Sequence, residues 1–271
     1  MVSPMPVSAE SSPSNGEARA ASVVSNAISV LRCFSTESPS LGVTEIAAQV
    51  GLHKSTVSRI LSVLEQEELV ERDPQSRRFR LGLGLISVTG PLLADLDERR
   101  VAYPVLQALA EQTGETSTLM LWNGAESVCV EQIPSRRQIK HTTPLGARFN
   151  TAHSASVQVF LAGQPAERVR TMLLSGAIEH PAPTEDAVTA YLGLLTEVAR
   201  DGVALNYGMT SVDEVGVAAP VHDHRGELVA VTMIAAPRYR VGEEQARLLQ
   251  DACRAAAGEI SQRLGGSTGR V

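Results

Sequence analysis

Residues 43–81 read VTEIAAQVGLHKSTVSRILSVLEQEELVERDPQSRRFRL, and they predict two short helices followed by a hairpin. Thr44 is the expected N-cap of the first helix, because its hydroxyl can accept a hydrogen bond from a free amide group. Gly51 is expected to end that helix, since glycine tolerates the left-handed conformation found just past a helix end. The second helix is predicted from about Lys54 to Glu67, with one apolar face at helical spacing. That face consists of Val57, Ile60, Leu61 and Leu64.

Another face of the second helix carries small hydroxyl side chains and one arginine. Ser55, Ser58 and Ser62 recur there at helical spacing, beside Arg59. Small side chains let a helix backbone approach base edges, and hydroxyls can bond to bases or phosphates. Residues 46–64 contain no acidic side chain that would repel an anion. This pattern predicts a helix that enters a DNA groove.

The segment after the second helix predicts a basic hairpin, or wing. Residues 73–76, Asp-Pro-Gln-Ser, have the composition of a turn, and the strand after it holds Arg77, Arg78 and Arg80. Such arginines suit a minor groove or the adjacent phosphates. The order of elements therefore predicts a winged helix-turn-helix with double-stranded DNA as its partner. The predicted DNA contacts are Thr44, Lys54, Ser55, Thr56, Ser58, Arg59, Ser62, Arg77, Arg78 and Arg80.

The chain as a whole is acidic rather than basic. It has 271 residues, a formal net charge of −6 and a pI near 5.6. Residues 1–80 hold eight basic and nine acidic side chains, so the segment is nearly neutral, and six of its eight basic residues lie in the second helix or the wing. This balance predicts a small DNA footprint with weak non-specific binding, which salt weakens further. Two copies are then needed for useful affinity, and the length favours two domains in each copy.

Cysteine content and hydropathy exclude several classes of protein. Cys33, Cys129 and Cys253 are odd in number and widely spaced, which predicts buried thiols rather than disulfides or metal ligands. No apolar run is long enough to span a bilayer, and residues 1–20 lack the pattern of a secretory signal. The sequence therefore predicts a cytoplasmic protein without a membrane partner.

No catalytic, metal or cofactor motif stands out. His222-Asp223-His224 lacks a third ligand nearby and is interpreted as a polar turn. Gly82 and Gly84 lack the third glycine of a nucleotide-binding loop. Ser154 and Ser156 lie near His153, but neighbours in sequence do not by themselves form a nucleophile–base pair. We therefore expect no enzymatic activity, no cofactor and no metal.

The sequence predicts an α+β protein of two domains. A helix is expected from Val24 to Phe34, with Val24, Ala27, Ile28, Leu31 and Phe34 on its packed face. Pro91 is expected to kink or break the connector that follows the wing. Asn123-Gly124 between apolar runs is a strong hairpin signal, and residues 222–226 mark a second hairpin. The predicted boundaries are a disordered tail at 1–21, the winged helix-turn-helix at 22–84, a linker helix at 85–100, the second domain at 101–264 and a flexible C-terminus at 265–271.

These residues resemble the IclR family of bacterial transcriptional regulators over about residues 22–264. The resemblance rests on short motifs in both halves of the chain: TEIA at 44–47, KSTVSRIL at 54–61, FRLG at 79–82, TGET at 113–116, FLA at 160–162 and AAPV at 218–221. It implies a winged helix-turn-helix joined by a linker helix to a GAF-like effector-binding domain. It also implies a homodimer or homotetramer and a small-molecule effector in the C-terminal domain.

The resemblance assigns the effector pocket to eight positions, several of which depart from the family. Gly216 stands where a cysteine is common, and Met233 and Ala235 replace two serines. Residues 206–209, Asn-Tyr-Gly-Met, replace an acidic run, and Val157-Gln158 replaces a Gly-Lys pair. The eight positions are His141, Phe149, Ala155, Ser156, Asn206, Gly216, Met233 and Ala235.

The departures predict an apolar pocket, because hydroxyls and carboxylates are lost while Met and Phe are gained. An amino acid, an aromatic acid or another carboxylate-bearing metabolite then fits better than a two- or three-carbon oxoacid. His141 and Asn206 are the candidate ligands of its carboxylate. The alternative is that Met233 and Phe149 fill a core and that no ligand binds.

The favoured function is a ligand-responsive repressor that binds near-palindromic operators as a dimer or as a dimer of dimers. One alternative is a winged-helix module for protein contacts with a ligand-free second domain, which predicts no salt-dependent DNA binding. An enzyme with a regulatory domain would need a convergent catalytic cluster, and the sequence offers none.

Overall fold

The computed structural model describes residues 15–35 and 37–266, which form two compact units. The first unit ends at Asp95 and the second begins at Leu96. Of the predicted terminal segments, residues 1–14 and 267–271 lie outside the described residues. The elements of the first unit are α1 (Asn15–Leu31), α2 (Val43–Val50), α3 (Lys54–Gln66), β1 (Val70–Arg72), β2 (Phe79–Leu81) and α4 (Gly84–Asp95).

A single apolar core joins α1, α2, α3 and the wing. Its buried side chains include Ile46 of α2, the predicted apolar face of α3, and Val70 and Phe79 of the wing. Gly51 ends α2 with φ of 66°, in the left-handed region that glycine was predicted to supply. The strands β1 and β2 pair antiparallel, and Leu41 bridges to Phe79 at the edge. The predicted winged helix-turn-helix is confirmed.

Two details at the start of this unit differ from the prediction. Thr44 is not an N-cap, because Gly42 occupies that position and its N–H is satisfied by the Glu45 side chain at 2.6 Å. Glu45, the third residue of the helix, thus binds the backbone of the cap residue through its carboxylate, and the expected bond from the Thr44 hydroxyl is not made. Helix α1 begins at Asn15 rather than Val24, inside the segment predicted as a disordered tail.

The packed face of α1 is also rotated from the predicted one. Val30 is fully buried, whereas Val24 and Ile28 are exposed. Ala27, Leu31 and Phe34 do contact the core, as expected. Val24 and Ile28 therefore do not belong to the face of α1 that packs on the core of this unit.

The connector consists of two helices rather than one. Helix α4 continues through Pro91 to Asp95, and the helical conformation is interrupted at Leu96, where φ is −79° and ψ is 77°. A break at Pro91, one of the two predicted outcomes, is wrong, since the helical conformation is interrupted only at Leu96, where the second unit begins. No described helix is both long and apolar enough to cross a membrane.

The second unit is built on a six-stranded antiparallel sheet in the order β5-β4-β3-β8-β7-β6. The hairpin predicted at Asn123-Gly124 is confirmed, with Gly124 at φ of 100°. The two short edge strands, β5 and β6, were not predicted. The elements are α5 (Asp97–Thr113), β3 (Thr116–Trp122), β4 (Ser127–Ile133), β5 (Arg148–Phe149), α6 (Ala155–Ala162), α7 (Ala166–Leu174), α8 (Glu185–Asp201), β6 (Ala204–Tyr207), β7 (Glu214–His222), β8 (Leu228–Pro237), a 3₁₀ turn (Arg238–Arg240) and α9 (Glu243–Arg263).

Alternating side chains divide the sheet into two faces. Val215, Val217 and Ile234 pack with α5 and α9, on what we call the α9 face. Ala218 and Met233 pack with α6 and α8 on the opposite side, the α6 face. Cys253 and Cys129 are buried on the α9 and α6 faces respectively, as predicted for both thiols. Cys33 of the first unit is only half-buried, so the expectation of a buried thiol was wrong there.

Candidate DNA-binding surface and ligand site

Helix α3 presents the predicted polar face to solvent. Its four apolar residues are buried in the core, and Lys54, Ser58, Arg59 and Ser62 are exposed on the remaining surface. Thr56 is half-buried, and Thr44 is exposed on the first turn of α2. One helix of this unit therefore offers a lysine, an arginine and small hydroxyls on an exposed surface.

The N-terminus of α3 is capped by a residue that was not predicted to do so. His53 is the N-cap, and its Nδ1 lies 2.9 Å from Ser55 Oγ and 3.5 Å from the Ser55 amide nitrogen. The Ser55 hydroxyl was predicted to contact DNA, but in the structure it already has an intramolecular partner. The signal was present in the sequence, since a polar residue directly before a helix is the usual cap position.

The wing turn is organised by Asp73. Its Oδ1 accepts the N–H groups of Gln75 at 2.9 Å and Ser76 at 2.6 Å. These backbone hydrogen bonds, with the Ser76 bond first, lower the pKa of the Asp73 carboxyl below its usual value. Arg77 closes the turn at φ of 60°, a conformation that few non-glycine residues adopt. The predicted turn is confirmed, and it holds Arg77 at the exposed end of the wing.

The three wing arginines are not equivalent. Arg78 pairs with Glu45 at 2.8 Å and also donates to the Ser40 carbonyl at 2.8 Å. Arg80 pairs with Glu71 at 2.7 Å, directly across the strand pair. Among the residues that the structure describes, Arg77 has no acidic partner within 4.0 Å. All three arginines were predicted to contact DNA, and the two ion pairs join residues whose proximity no local sequence pattern shows.

In the second unit, five of the predicted effector positions meet on the α6 face. A Cβ added to Gly216 would lie 3.3 Å from Met233 Cε, 3.7 Å from Ala155 Cβ and 3.8 Å from Asn206 Cβ. Ala235 is the strand neighbour of Gly216 on β8. The fold thus brings residues from α6, β6, β7 and β8 together although they are far apart in sequence.

The N-terminus of α6 is buried above this cluster. Ala155 and Ser156 are fully buried, and the Ser154 side chain makes no capping hydrogen bond. The first amide groups of any helix lack intrahelical acceptors, and the helix dipole makes their end positive. Such an end is a suitable place for a carboxylate.

Hydroxyl groups surround this helix end, contrary to the apolar pocket that was predicted. Ser127 Oγ donates to Ser156 Oγ at 2.9 Å, and Ser154 Oγ lies 3.2 Å from Ser156 Oγ. Phe149, another predicted position, lies half-buried on β5 and pairs with Ser127 across the strands. The predicted positions include Ser156 but not Ser127 of β4 or Ser154, because the prediction counted only the positions that the resemblance assigns.

The two predicted carboxylate ligands already have local partners. His141 Nε2 lies 3.1 Å from the Asp213 carbonyl oxygen, and the His141 carbonyl accepts from Thr116 Oγ1 at 2.6 Å. Asn206 Oδ1 accepts the Met209 N–H at 2.8 Å, while its Nδ2 donates to Thr210 Oγ1. The His141 ring keeps one further nitrogen, and the Asn206 amide keeps one N–H and one oxygen lone pair. Both side chains therefore order loops and retain hydrogen-bonding capacity.

The motif His222-Asp223-His224 forms a turn. Asp223 Oδ1 accepts the N–H groups of Arg225 at 2.8 Å and Glu227 at 2.9 Å, which uses the carboxylate in a hairpin. Across the described residues, no group of three His, Cys, Asp or Glu side chains is arranged to hold a metal ion.

Comparisons with known proteins cover both units. The family profile of the bacterial transcriptional regulator IclR C-terminal domain matches residues 91–262, and that of the IclR helix-turn-helix domain matches residues 23–74. The transcriptional repressor AllR of Escherichia coli strain K12 is 26% identical over 91% of this chain and 92% of its own.

Solved structures agree with these matches. One domain of an IclR-family transcriptional regulator is 58% identical, with a TM-score of 0.62 over 63% of this chain and 98% of that domain. An IclR homologue from Microbacterium hydrocarbonoxydans, solved in complex with 4-hydroxybenzoate, shares the fold with a TM-score of 0.72. That homologue is 22% identical, over 89% of this chain and 98% of its own.

The proteins in these matches are regulators, in agreement with the prediction that the chain controls transcription and is not an enzyme. The predicted pairing of a winged helix-turn-helix with an α+β effector domain agrees with them as well. The chain therefore belongs to the IclR family of bacterial transcriptional regulators.

Proposed function

We propose that this regulator is a repressor that binds a near-palindromic operator as a homodimer or homotetramer and releases it when a carboxylate-bearing metabolite binds its second unit. The observation that carries the proposal is the buried N-terminus of α6, which faces Gly216 across a cluster of small side chains. A positive helix end in a buried cluster suits a small anion. The repressor role is supported by AllR, whose name describes that activity.

On the DNA side, α3 is the proposed recognition helix. Arg59 can reach a guanine edge or a phosphate, while Ser58 and Ser62 leave room for close approach of the backbone. Lys54 and Arg77 are the proposed phosphate contacts from the helix and the wing, because both are exposed cations. Thr44 lies in the first turn of α2, and Ser55 and Thr56 lie in the first turn of α3. From there they can contact the phosphate backbone of the DNA. Arg78 and Arg80 are paired with Glu45 and Glu71, so they can bind a phosphate either alongside the carboxylate or in place of it.

The need for two copies follows from the small number of available cations in one head. Each phosphate contact adds about one to the slope of log affinity against log salt concentration. One DNA-binding unit with few such contacts therefore binds weakly at physiological salt. Two heads on half-sites about one helical turn apart would combine those contacts. A regulator of this kind acts on the chromosome, so we propose that it works in the cytoplasm.

The proposed effector is an amino acid, an aromatic acid or a similar carboxylate. Gly216, Met233 and Ala235 provide apolar and small surfaces, and the His141 and Asn206 side chains retain hydrogen-bonding sites that their local partners do not use. The 4-hydroxybenzoate in the Microbacterium hydrocarbonoxydans homologue is an acid of this type. A coupling of about 1–3 kcal/mol between the two sites would change DNA affinity by roughly 5–150-fold, which is enough for a switch.

A gel shift on the DNA upstream of the gene and of its neighbours tests the proposal. We expect salt-dependent binding of the full chain to at least one fragment, and weaker binding when the correct carboxylate is added. A thermal-shift screen run in parallel identifies that carboxylate, because a ligand that binds the folded state raises the melting temperature. Failure to bind any fragment at low salt would contradict the DNA-binding part. Stabilisation by glyoxylate or pyruvate alone, and by no larger acid, would contradict the proposed effector class.

A further inference from the structure

Strand β3 carries one hydroxyl whose surroundings set it apart from its neighbours. Thr118 is fully buried, and its Oγ1 has no hydrogen-bond partner among the described residues. Ser117 donates to the Leu106 carbonyl at 2.7 Å. Thr116 donates to the His141 carbonyl and accepts the Ser135 N–H at 3.1 Å. A buried hydroxyl without a partner is destabilising and therefore uncommon in a folded protein.

Thr118 points to the α6 face. It is the strand neighbour of Met233, which in turn neighbours Ala218, and residues opposite one another in antiparallel strands share a face. Met120, two residues along β3, packs with Met233 and Ala155 in the same apolar cluster. The unpartnered hydroxyl and the buried end of α6 therefore face the same interior.

The two polar features are separated by a distance that restricts the ligand. Ala155, the first residue of α6, lies over Gly216 on β7, whereas Thr118 is on β3, with β8 between them. Adjacent strands are about 4.8 Å apart and residues rise about 3.4 Å along a strand, and Thr118 is two residues out of register with Gly216, so the two lie roughly 12 Å apart. A carboxylate at the helix end would need its second polar group several bonds away to reach Thr118.

We propose that Thr118 is a specificity-determining residue that binds a distal hydroxyl of the effector, so that the regulator recognises hydroxy acids whose hydroxyl is remote from the carboxylate. This inference rests on the proposed sensing function of the second unit. Binding supplies the missing partner of the Thr118 hydroxyl, and an acid without the distal hydroxyl leaves it unpaired. Met233, a flexible side chain beside Thr118, can move aside for the body of the ligand.

Thr232 provides a matched control on the opposite side of the sheet. Its Oγ1 is also buried and unpartnered among the described residues. Its strand neighbours, Leu119 and Ala219, belong to the α9 face, and its carbonyl accepts from the Cys253 thiol of α9 at 3.3 Å. Thr232→Val therefore makes the same chemical change on the α9 face, away from the proposed ligand site on the α6 face.

The experiment measures binding of two acid pairs to the full chain by calorimetry: 4-hydroxybenzoate against benzoate, and 4-hydroxyphenylacetate against phenylacetate. In the parent and in Thr232→Val, we expect the hydroxylated acid of at least one pair to bind about tenfold more tightly, the effect of one good hydrogen bond. In Thr118→Val we expect that preference to disappear while the deoxy acid binds as before. The Thr118→Val chain should melt no lower than the parent, because valine removes an unsatisfied group.

The outcomes separate this inference from the proposed function. A preference retained in Thr118→Val, or an equal loss in Thr232→Val, would overturn the role of Thr118 alone. Equal affinity of both members of each pair in the parent would also overturn it, while leaving the carboxylate sensor intact. Absence of binding by all four acids would overturn this inference and the proposed class of effector together, and the gel shift would still report on DNA binding.

Discussion

The Arg78 guanidinium lies 2.8 Å from the Glu45 carboxylate and joins the wing to the first turn of α2. The same carboxylate accepts the Gly42 N–H, and these bonds, with the Gly42 bond first, lower the pKa of the Glu45 side chain below its usual value. Arg78 thereby orients the wing as well as contributing charge. The exposed positive charge of the wing is concentrated at Arg77 instead.

Replacing Arg77 with asparagine should weaken DNA binding by a similar factor on every sequence. Asparagine tolerates the left-handed conformation at this position, so the turn is kept while the cation is removed. The salt slope of binding should fall by about one, the contribution of one phosphate contact. Gel shifts on operator and random DNA at several salt concentrations measure both quantities. Arg80→Gln combined with Glu71→Gln is the control: it removes a cation together with its paired carboxylate, and an effect as large as that of Arg77→Asn would contradict the special role of Arg77.

Replacing Arg59 with lysine should reduce sequence discrimination while leaving non-specific binding almost unchanged. Lysine keeps the charge but loses the planar fork that binds a guanine edge through two hydrogen bonds. The expected loss is about 1–3 kcal/mol for the operator, or roughly 5–150-fold in affinity. Competition of operator against random DNA provides the measurement. An unchanged ratio of the two affinities would show that Arg59 does not contact a base.

Much of the DNA-binding head could be predicted from sequence, because its signals are local. The apolar repeat of α3, the glycine after α2 and the Asp-Pro turn of the wing each depend on residues within a few positions of one another. The pairing of Arg78 with Glu45 could not be predicted, since it joins residues 33 positions apart. It depends on how the wing packs against α2, which no local pattern encodes.

The ligand site was less predictable for the same reason. Family resemblance selected Gly216 and Ala155, which do meet in the structure. It did not select Thr118, because whether a buried hydroxyl has a partner depends on strands and loops that are distant in sequence. The alternation of Thr116, Thr118 and Met120 on β3 could have shown that these three share a face.

Replacing Gly82 with alanine should unfold or severely destabilise the DNA-binding head. An added Cβ would lie 2.1 Å from the Glu68 carbonyl oxygen, a backbone atom that accepts the Gly84 N–H and cannot move away without breaking that hydrogen bond. Gly193 in α8 is the control, because apart from its chain neighbours and its own helix backbone nothing lies within 4 Å of an added Cβ there. Gly193→Ala should stabilise α8 by up to about 1 kcal/mol, the helix propensity difference. Thermal unfolding by circular dichroism compares the two variants, and similar melting temperatures would contradict the predicted clash.

Stability should decrease as the pH falls below the usual histidine range. Burial, and secondarily the nearby His180, lowers the pKa of His153, and burial lowers that of His222. The unfolded chain then binds more protons than the folded one between the lowered pKa and the ordinary value of 6.5, so this contribution is complete above 6.5 and is lost below it. His153→Gln combined with His222→Gln should therefore flatten the melting-temperature profile between about pH 7.5 and about pH 5.5. The exposed His224→Gln serves as control, and an equal flattening there would refute the assignment.

Replacing Arg240 with alanine should cost about 3–5 kcal/mol of unfolding free energy, because it leaves a buried carboxylate without its main partner. Arg240 Nε and Nη2 donate to the two oxygens of Glu115 at 2.7 and 2.6 Å, and the Glu115 side chain is only 3% exposed. Arg247→Ala is the control: that guanidinium lies 3.8 Å from Glu243 on the surface, where an ion pair contributes about 0–1 kcal/mol. Denaturant titration of the full chain measures both losses.

A double variant shows where the cost of losing Arg240 comes from. If it arises from an uncompensated buried charge, Glu115→Gln added to Arg240→Ala should recover part of the stability, because glutamine is neutral and keeps the shape. If it arises from lost packing of the arginine stem, the double variant should be no more stable than Arg240→Ala. Arg137, 3.2 Å from Glu115, remains in both variants and lowers the penalty without removing it, since its side chain is half exposed. We therefore expect a double variant that is more stable than Arg240→Ala and less stable than the parent.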